Sequence, residues 1–113
     1  MKMSTPKNQT RSAFKMKLKP GYAEEYKRRH DSIWPDLSVL LREAGISDYA
    51  IFLDEETNTL FAVQKVDTTT SGSQGLGHHP IVKKWWAHMA DIMETNADHS
   101  PVAIPLREVF YLD

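Results

Sequence analysis

Three features of this 113-residue sequence predict an α+β fold of the ferredoxin-like βαββαβ kind. Strand-like and helix-like segments follow one another in the order β-α-β-β-α-β. That order describes two split βαβ units with both helices on one face of an antiparallel sheet. The middle strands, "ISDYAIFLD" and "LFAVQKVD", flank the turn "EETNT" and read as a hairpin over residues 46–67. These strands are apolar on both faces: Tyr49, Ile51 and Leu53 alternate with Ala50 and Phe52, and "LFAV" behaves alike. Two helices cover one face only, so the other must meet a lined pocket or a second subunit. A homodimer packed sheet to sheet is expected.

The elements follow in order. Residues 1–11, "MKMSTPKNQTR", are expected to be a flexible tail, and residues 12–113 a single domain. "SAFKMKLK" alternates Phe14, Met16 and Leu18 with Lys15 and Lys17, the pattern of a half-buried strand. Pro20 and Gly21 form the entry turn of a helix that Pro35 should end or kink near Trp34. Pro35 is well suited to a first helical turn, so "PDLSVLLREAG" resumes the helix, with Leu37, Leu40 and Leu41 inward and Gly45 as its stop. In the hairpin turn Asn58 can take a left-handed conformation. The polar, Gly/Ser-rich "TTTSGSQGLG" at 68–77 reads as a loop. "HHPIVKKWWAHMADIM" is a second long helix, with Val82, Trp85, Met89 and Ile92 on one apolar stripe and Trp86 on an adjoining one. "LREVFYLD" is expected to be the final strand.

Composition removes several classes of function. The net charge of −1 argues for neither a nucleic-acid partner nor a membrane surface. The chain has no cysteine, so disulfides, thiol nucleophiles and thiolate metal sites are excluded. No apolar run has the length of a membrane span, and the N-terminus lacks the apolar core of a signal peptide. A cytoplasmic protein is the default expectation. No P-loop, dinucleotide fingerprint or nucleophile elbow is present.

The stretch "EEYKRRHDSIWPDL" draws attention because Tyr22, Tyr26, His30 and Trp34 recur every four residues. Tyr26 and His30 lie one turn apart on one helix face. Histidine changes charge nearest neutral pH, and a phenol one turn away can hold a substrate oxygen. The competing reading is an amphipathic edge, since few lone helical histidines catalyse. Trp85 and Trp86 point about 100° apart on a helix, so they cannot both face one core centre. Flat indoles suit the apolar face of a sugar ring, and equally suit packing. Trp34 reads better as packing. Tyr49 projects from its strand toward the core or a pocket, and a buried phenol wants a partner. His78, His79, His88 and His99 have no metal-ligand spacing and read as capping or surface residues. The charges of "EEYKRRH" read as a solvated face with Glu-to-Arg pairs. The residues alone therefore give a domain with no cofactor and no metal, a possible Tyr/His/Trp pocket, and a dimer.

The segments "EEYKRRHDSIWPDL", "SDYAIFLD", "TNTLFA", "KKWWAHMADIM", "DHSPV" and "EVFYL" resemble, in order and spacing, the L-rhamnose mutarotases. The likeness runs from about Ser12 to Leu112. It implies a dimeric α/β-barrel, with two ferredoxin-like sheets facing each other. It also implies an isomerase that interconverts the α and β anomers of L-rhamnose without a cofactor. By the same resemblance His30 is the catalytic proton donor, and Tyr26, Tyr49, Trp85 and Trp86 bind substrate. The stretch "DTTTSGSQGLGHHPIV" falls where members of that family vary most, and its "HHP" matches no motif of theirs, so the role of the 68–79 loop is left open. Two other readings share the architecture: a non-catalytic domain that binds a small ligand, and a cofactor-free monooxygenase. A pocket with converging polar groups suits a sugar, whereas a wholly apolar cavity suits the monooxygenase.

Overall fold

The computed structural model describes residues 9–67 and 72–113. Most of the expected tail, and residues 68–71 of the expected loop, lie outside them. The chain forms β1 (Gln9–Lys17), α1 (Ala23–Asp31), α2 (Pro35–Glu43), β2 (Ile46–Asp54), β3 (Thr59–Asp67), α3 (Pro80–Met89) and β4 (Ile104–Leu106). Short 3-10 turns occupy Ser73–Leu76 and Ala90–Ile92. The four strands make one antiparallel sheet in the order β2-β3-β1-β4.

Alternation along each strand decides what the sheet buries. Phe14 and Met16 of β1 and Leu60, Ala62, Gln64 and Val66 of β3 are buried on the helix side. There Phe14, Met16, Leu60 and Ala62 pack with Tyr26, Leu37, Val82, Trp85, Met89 and Ile92. Each fully buried Leu or Ile in this layer is worth about 1.5–3 kcal/mol relative to exposure. The opposite face carries Phe52, Phe61, Val63, Ile104 and Leu106, all exposed, Phe52 by 64%.

Two local devices set the positions of the site residues. The first is the break between α1 and α2. Glu24 and Glu25 in the first turn of α1, and Arg28 and Arg29 in its last, complement the helix dipole. The helix ends at Asp31, three residues before Trp34. Pro35 forces the residue before it out of helical geometry, and Trp34 is extended (φ −62, ψ 131). Pro35 then opens α2, which stops at Gly45 (φ +85).

The second device is a bulge in β2. Ile46 pairs with Val66 and Ala50 with Val63, so β2 holds one residue more than β3 between these pairs. Asp48 takes up the extra length at φ 47. In consequence Ile46 and Tyr49, three residues apart, share the helix side. Asn58 adopts the left-handed turn conformation expected of it (φ 58).

The ends of the chain differ from the sequence reading. β1 starts at Gln9 rather than Ser12. The final strand expected over 106–113 is confined to Ile104–Leu106, which pairs with Ala13–Lys15. Beyond Leu106, residues 107–113 pair with no strand among the described residues. Val109, Phe110, Tyr111 and Leu112 are left exposed, with Arg11 stacked 3.3 Å from the Tyr111 ring centre and paired with Glu108 at 2.8 Å.

Candidate active site

A cleft of about 960 Å3 opens between the helices and the sheet. Tyr26, His30, Tyr49, Ser73, Trp85 and Trp86 are among the residues that line it. A recess of about 50 Å3 shares Tyr49, Trp85 and Trp86 and is edged by His99. All five residues singled out from the sequence thus reach one cleft. They arrive from three elements: α1 supplies Tyr26 and His30, β2 supplies Tyr49, and α3 supplies both tryptophans.

The helical spacing of four stacks His30 on Tyr26, with ring centres 4.2 Å apart and planes at 27°. Trp85 meets His30 edge to face at 5.4 Å and 89°. Trp34 packs edge-on against Trp85 at 5.1 Å and lies 5.5 Å from His88, which is the packing role expected of it. Trp85 is buried at 8% exposure, whereas Trp86 is half-buried. A Cβ at Gly77 would come within 2.6 Å of the Trp86 ring, so the residue there must be small for the loop to lie on the indole.

The protonation logic follows from hydrogen bonds. His30 Nδ1 lies 3.0 Å from the carbonyl oxygen of Tyr26. A carbonyl only accepts, so Nδ1 carries a proton and Nε2 is the nitrogen that gains or loses one. Burial lowers the pKa of His30, opposed by the Tyr26 carbonyl and by Asp31. Burial raises the Tyr26 phenol, and the nearby Tyr49 raises it further. Burial likewise raises Tyr49, against the opposing hydrogen bonds of Ser73 and Gln64. Both phenols therefore stay protonated at neutral pH, where they hydrogen-bond but do not act as bases. Of the three, His30 has the ordinary pKa nearest neutrality, and burial moves it lower.

Other features were not anticipated. Arg29, read as part of a solvated face, has a side chain only 12% exposed. It bonds Glu25 on its own helix, Asp91 at 2.8 Å, and the His88 carbonyl at 2.7 Å, tying α1 to the end of α3. Gln64 is buried at 1% exposure and bonds Ser73. Its position was visible as a polar residue on the inward alternation Leu60, Ala62, Gln64, Val66. His79 caps α3, its Nδ1 accepting from the Ile81 N–H at 3.3 Å, in line with the capping role expected. Among the described residues, no group of three or more His, Cys, Asp or Glu is placed to hold a metal ion. No helix there is long and apolar enough to cross a membrane.

Comparison with known proteins gives a consistent result. The profile of a family described as L-rhamnose mutarotase matches residues 11–112. An L-rhamnose mutarotase from Formosa agariphila is 60% identical over 103 residues, covering 91% of this chain and 98% of the relative. One from Bacteroides thetaiotaomicron has the same identity and coverage. One from Brucella anthropi is 60% identical over 102 residues, covering 90% of this chain and 95% of its own length. Among solved structures, the crystal structure of an L-rhamnose mutarotase from Formosa agariphila superposes with a TM-score of 0.83 at 58% identity. It covers 92% of this chain and 99% of that one.

Proposed function

This chain belongs to the L-rhamnose mutarotase family, and on that premise we propose how its cleft interconverts the two anomers of L-rhamnose. The protein is an isomerase that changes the configuration of the sugar's anomeric carbon. Opening the ring moves one proton onto the ring oxygen and takes one from the anomeric hydroxyl. The C1–C2 bond of the aldehyde then rotates, and the ring oxygen adds to the other carbonyl face. The reaction needs one acid and one base within hydrogen-bond reach.

His30 is the acid. In its protonated state Nε2 donates to the ring oxygen as the C1–O bond breaks. On closure the neutral imidazole takes that proton back, so the residue ends the cycle as it began. The observation that carries this reading is the Nδ1 contact to the Tyr26 carbonyl, which reserves Nε2 for the substrate. Tyr26 and Tyr49 hold sugar hydroxyls. Their raised pKa values argue against a phenolate as the base, which leaves the anomeric proton to water or a carboxylate. Trp85 and Trp86 wall the apolar edge of the ring, including its 6-deoxy methyl group.

The finer architecture is a ferredoxin-like domain paired into a dimeric α/β-barrel. Its support is the sheet face that the helices leave bare, with Phe52, Phe61, Val63 and Ile104 exposed together. A second copy of the same face is the occupant whose chemistry matches. The test of the activity is exchange NMR on equilibrated L-rhamnose, following the two anomeric protons with and without protein. Exchange accelerated by the wild type and lost in His30→Ala supports the reading. Acceleration that survives His30→Ala overturns the role given to His30 and leaves the family activity standing.

A further inference from the structure

Tyr49 has a hydroxyl hydrogen whose direction depends on residues outside the cleft wall. Gln64 is 1% exposed and Ser73 7% exposed. The backbone N–H of Ser73 donates to Gln64 Oε1 at 2.9 Å. A backbone N–H can only donate, so this contact fixes which end of the Gln64 amide is oxygen. The amide nitrogen then donates to Ser73 Oγ, also at 2.9 Å. Ser73 Oγ still has its own hydrogen to give, and its long 3.4 Å contact with the Tyr49 hydroxyl oxygen is one in which it donates. With its oxygen accepting from Ser73, Tyr49 has its hydrogen to give elsewhere, and Tyr49 lines the cleft.

The backbone is shaped for this relay at both ends. Gly72 has φ 77, and a Cβ there would come within 2.7 Å of Gln64 Oε1. Only glycine lets the loop pass that close in that conformation. On the other side, the bulge at Asp48 brings Tyr49 beside Gln64 on the same face of the sheet.

We propose that Gln64 and Ser73 are positioning residues that fix the Tyr49 hydroxyl as a hydrogen-bond donor to a sugar oxygen. The relay assigns a function to the loop end for which the sequence offered none. This inference rests on the reading of Tyr49 as a sugar ligand.

A double-mutant cycle tests it. Anomer exchange is measured by NMR for the wild type, Ser73→Ala, Tyr49→Phe and the double variant, with thermal unfolding alongside. Ser73→Ala is expected to lower kcat/KM about tenfold, the value of roughly one hydrogen bond. In the Tyr49→Phe background the same change is expected to cost less than twofold. Ser73→Thr, which keeps the hydroxyl, should restore most of the rate. Gln64→Met, close in size but without the amide, should behave as Ser73→Ala does. Equal losses from Ser73→Ala in both backgrounds would mean that the pair only anchors the loop, and would overturn the proposal. Unchanged activity in Ser73→Ala would do the same. A Tyr49→Phe enzyme with wild-type kinetics would remove the sugar-binding reading of Tyr49 itself, a distinct result.

Discussion

His30 Nδ1 and the carbonyl oxygen of Tyr26 are 3.0 Å apart, one helical turn along α1. The contact occupies Nδ1 and leaves Nε2 as the ring nitrogen that the proposed proton transfer would use. Replacing His30 with Ala removes the proposed proton carrier while leaving the backbone of α1 intact. A loss of about 10²–10⁴ in kcat is expected, the usual value of a general acid. His30→Gln should be nearly as impaired, because an amide can hydrogen-bond but cannot carry the proton. Exchange NMR with saturating L-rhamnose measures both. A glutamine variant with near wild-type turnover would show that His30 binds without transferring a proton.

The rate should depend on pH through the same residue. Burial lowers the pKa of His30 from its ordinary 6.5, so the imidazolium is the minor form at pH 7. If the imidazolium is the acid, kcat/KM rises as pH falls from 8 toward that lowered pKa and levels off below it. The limb should vanish in His30→Ala. A rate that instead falls on acidification would identify the neutral imidazole as the working form, with Nε2 taking the anomeric proton.

Much of this site could be read from spacing, and the unread parts have physical reasons. Tyr26 and His30 stack because i and i+4 share a helix face, which the sequence displays. The tandem Trp85 and Trp86 diverge as the helical angle requires, Trp85 buried in the core and Trp86 half-buried, and both border the cleft. Tyr49 shares the facing of Ile51 and Leu53 as the alternation predicts, but whether it meets core or pocket depends on Ser73, a loop residue that no local pattern places beside it. Arg29 was misassigned to a solvated face because its partners Asp91 and the His88 carbonyl lie about sixty residues away. No local pattern reports such a contact. The strand expected after Leu106 shortened because a strand needs a neighbour, and an apolar pattern such as "EVFYL" does not say where that neighbour comes from.

The two tryptophans should separate stability from binding. Trp85 is buried and touches His30 and Trp34, so Trp85→Ala should cost about 3–5 kcal/mol of stability. Trp86 is half-buried at the cleft, and Trp86→Ala should raise KM several-fold with little change in Tm. Thermal unfolding and substrate titration, run on both variants, check the division. A Trp86→Ala enzyme with unchanged KM would remove that indole from the sugar site.

Phe52 and Phe61 sit opposite each other on the bare face of the sheet. Phe52→Glu places a carboxylate where the proposed dimer buries an aromatic ring, and a desolvated, unpaired charge costs several kcal/mol. Sedimentation should show two chains together for the wild type and a single chain for the variant. A single-chain wild type at micromolar concentration would leave the apolar face without its proposed occupant.

Glu25 gives the last prediction, on acid stability. Hydrogen bonds from Arg28, then Arg29, lower its pKa from 4.5 to about 2. A carboxylate with a depressed folded-state pKa stabilises the fold fully above its unfolded value. It loses that contribution as pH falls through the folded one. The contribution of Glu25 is therefore present above about pH 4.5 and lost between there and about pH 2. Asp91, lowered in the same sense by its Arg29 hydrogen bond, loses its share on acidification too. Glu25→Gln should lower Tm at pH 7, and the difference from wild type should shrink as pH falls toward 2. Arg29→Met, which cuts the tie between α1 and α3, should lower stability by about 1–3 kcal/mol at neutral pH. It should also slow turnover, since α1 carries His30 and α3 carries Trp85. A Glu25→Gln difference that stays constant across that pH range would assign the stabilisation to side-chain packing and not to ionised pairs.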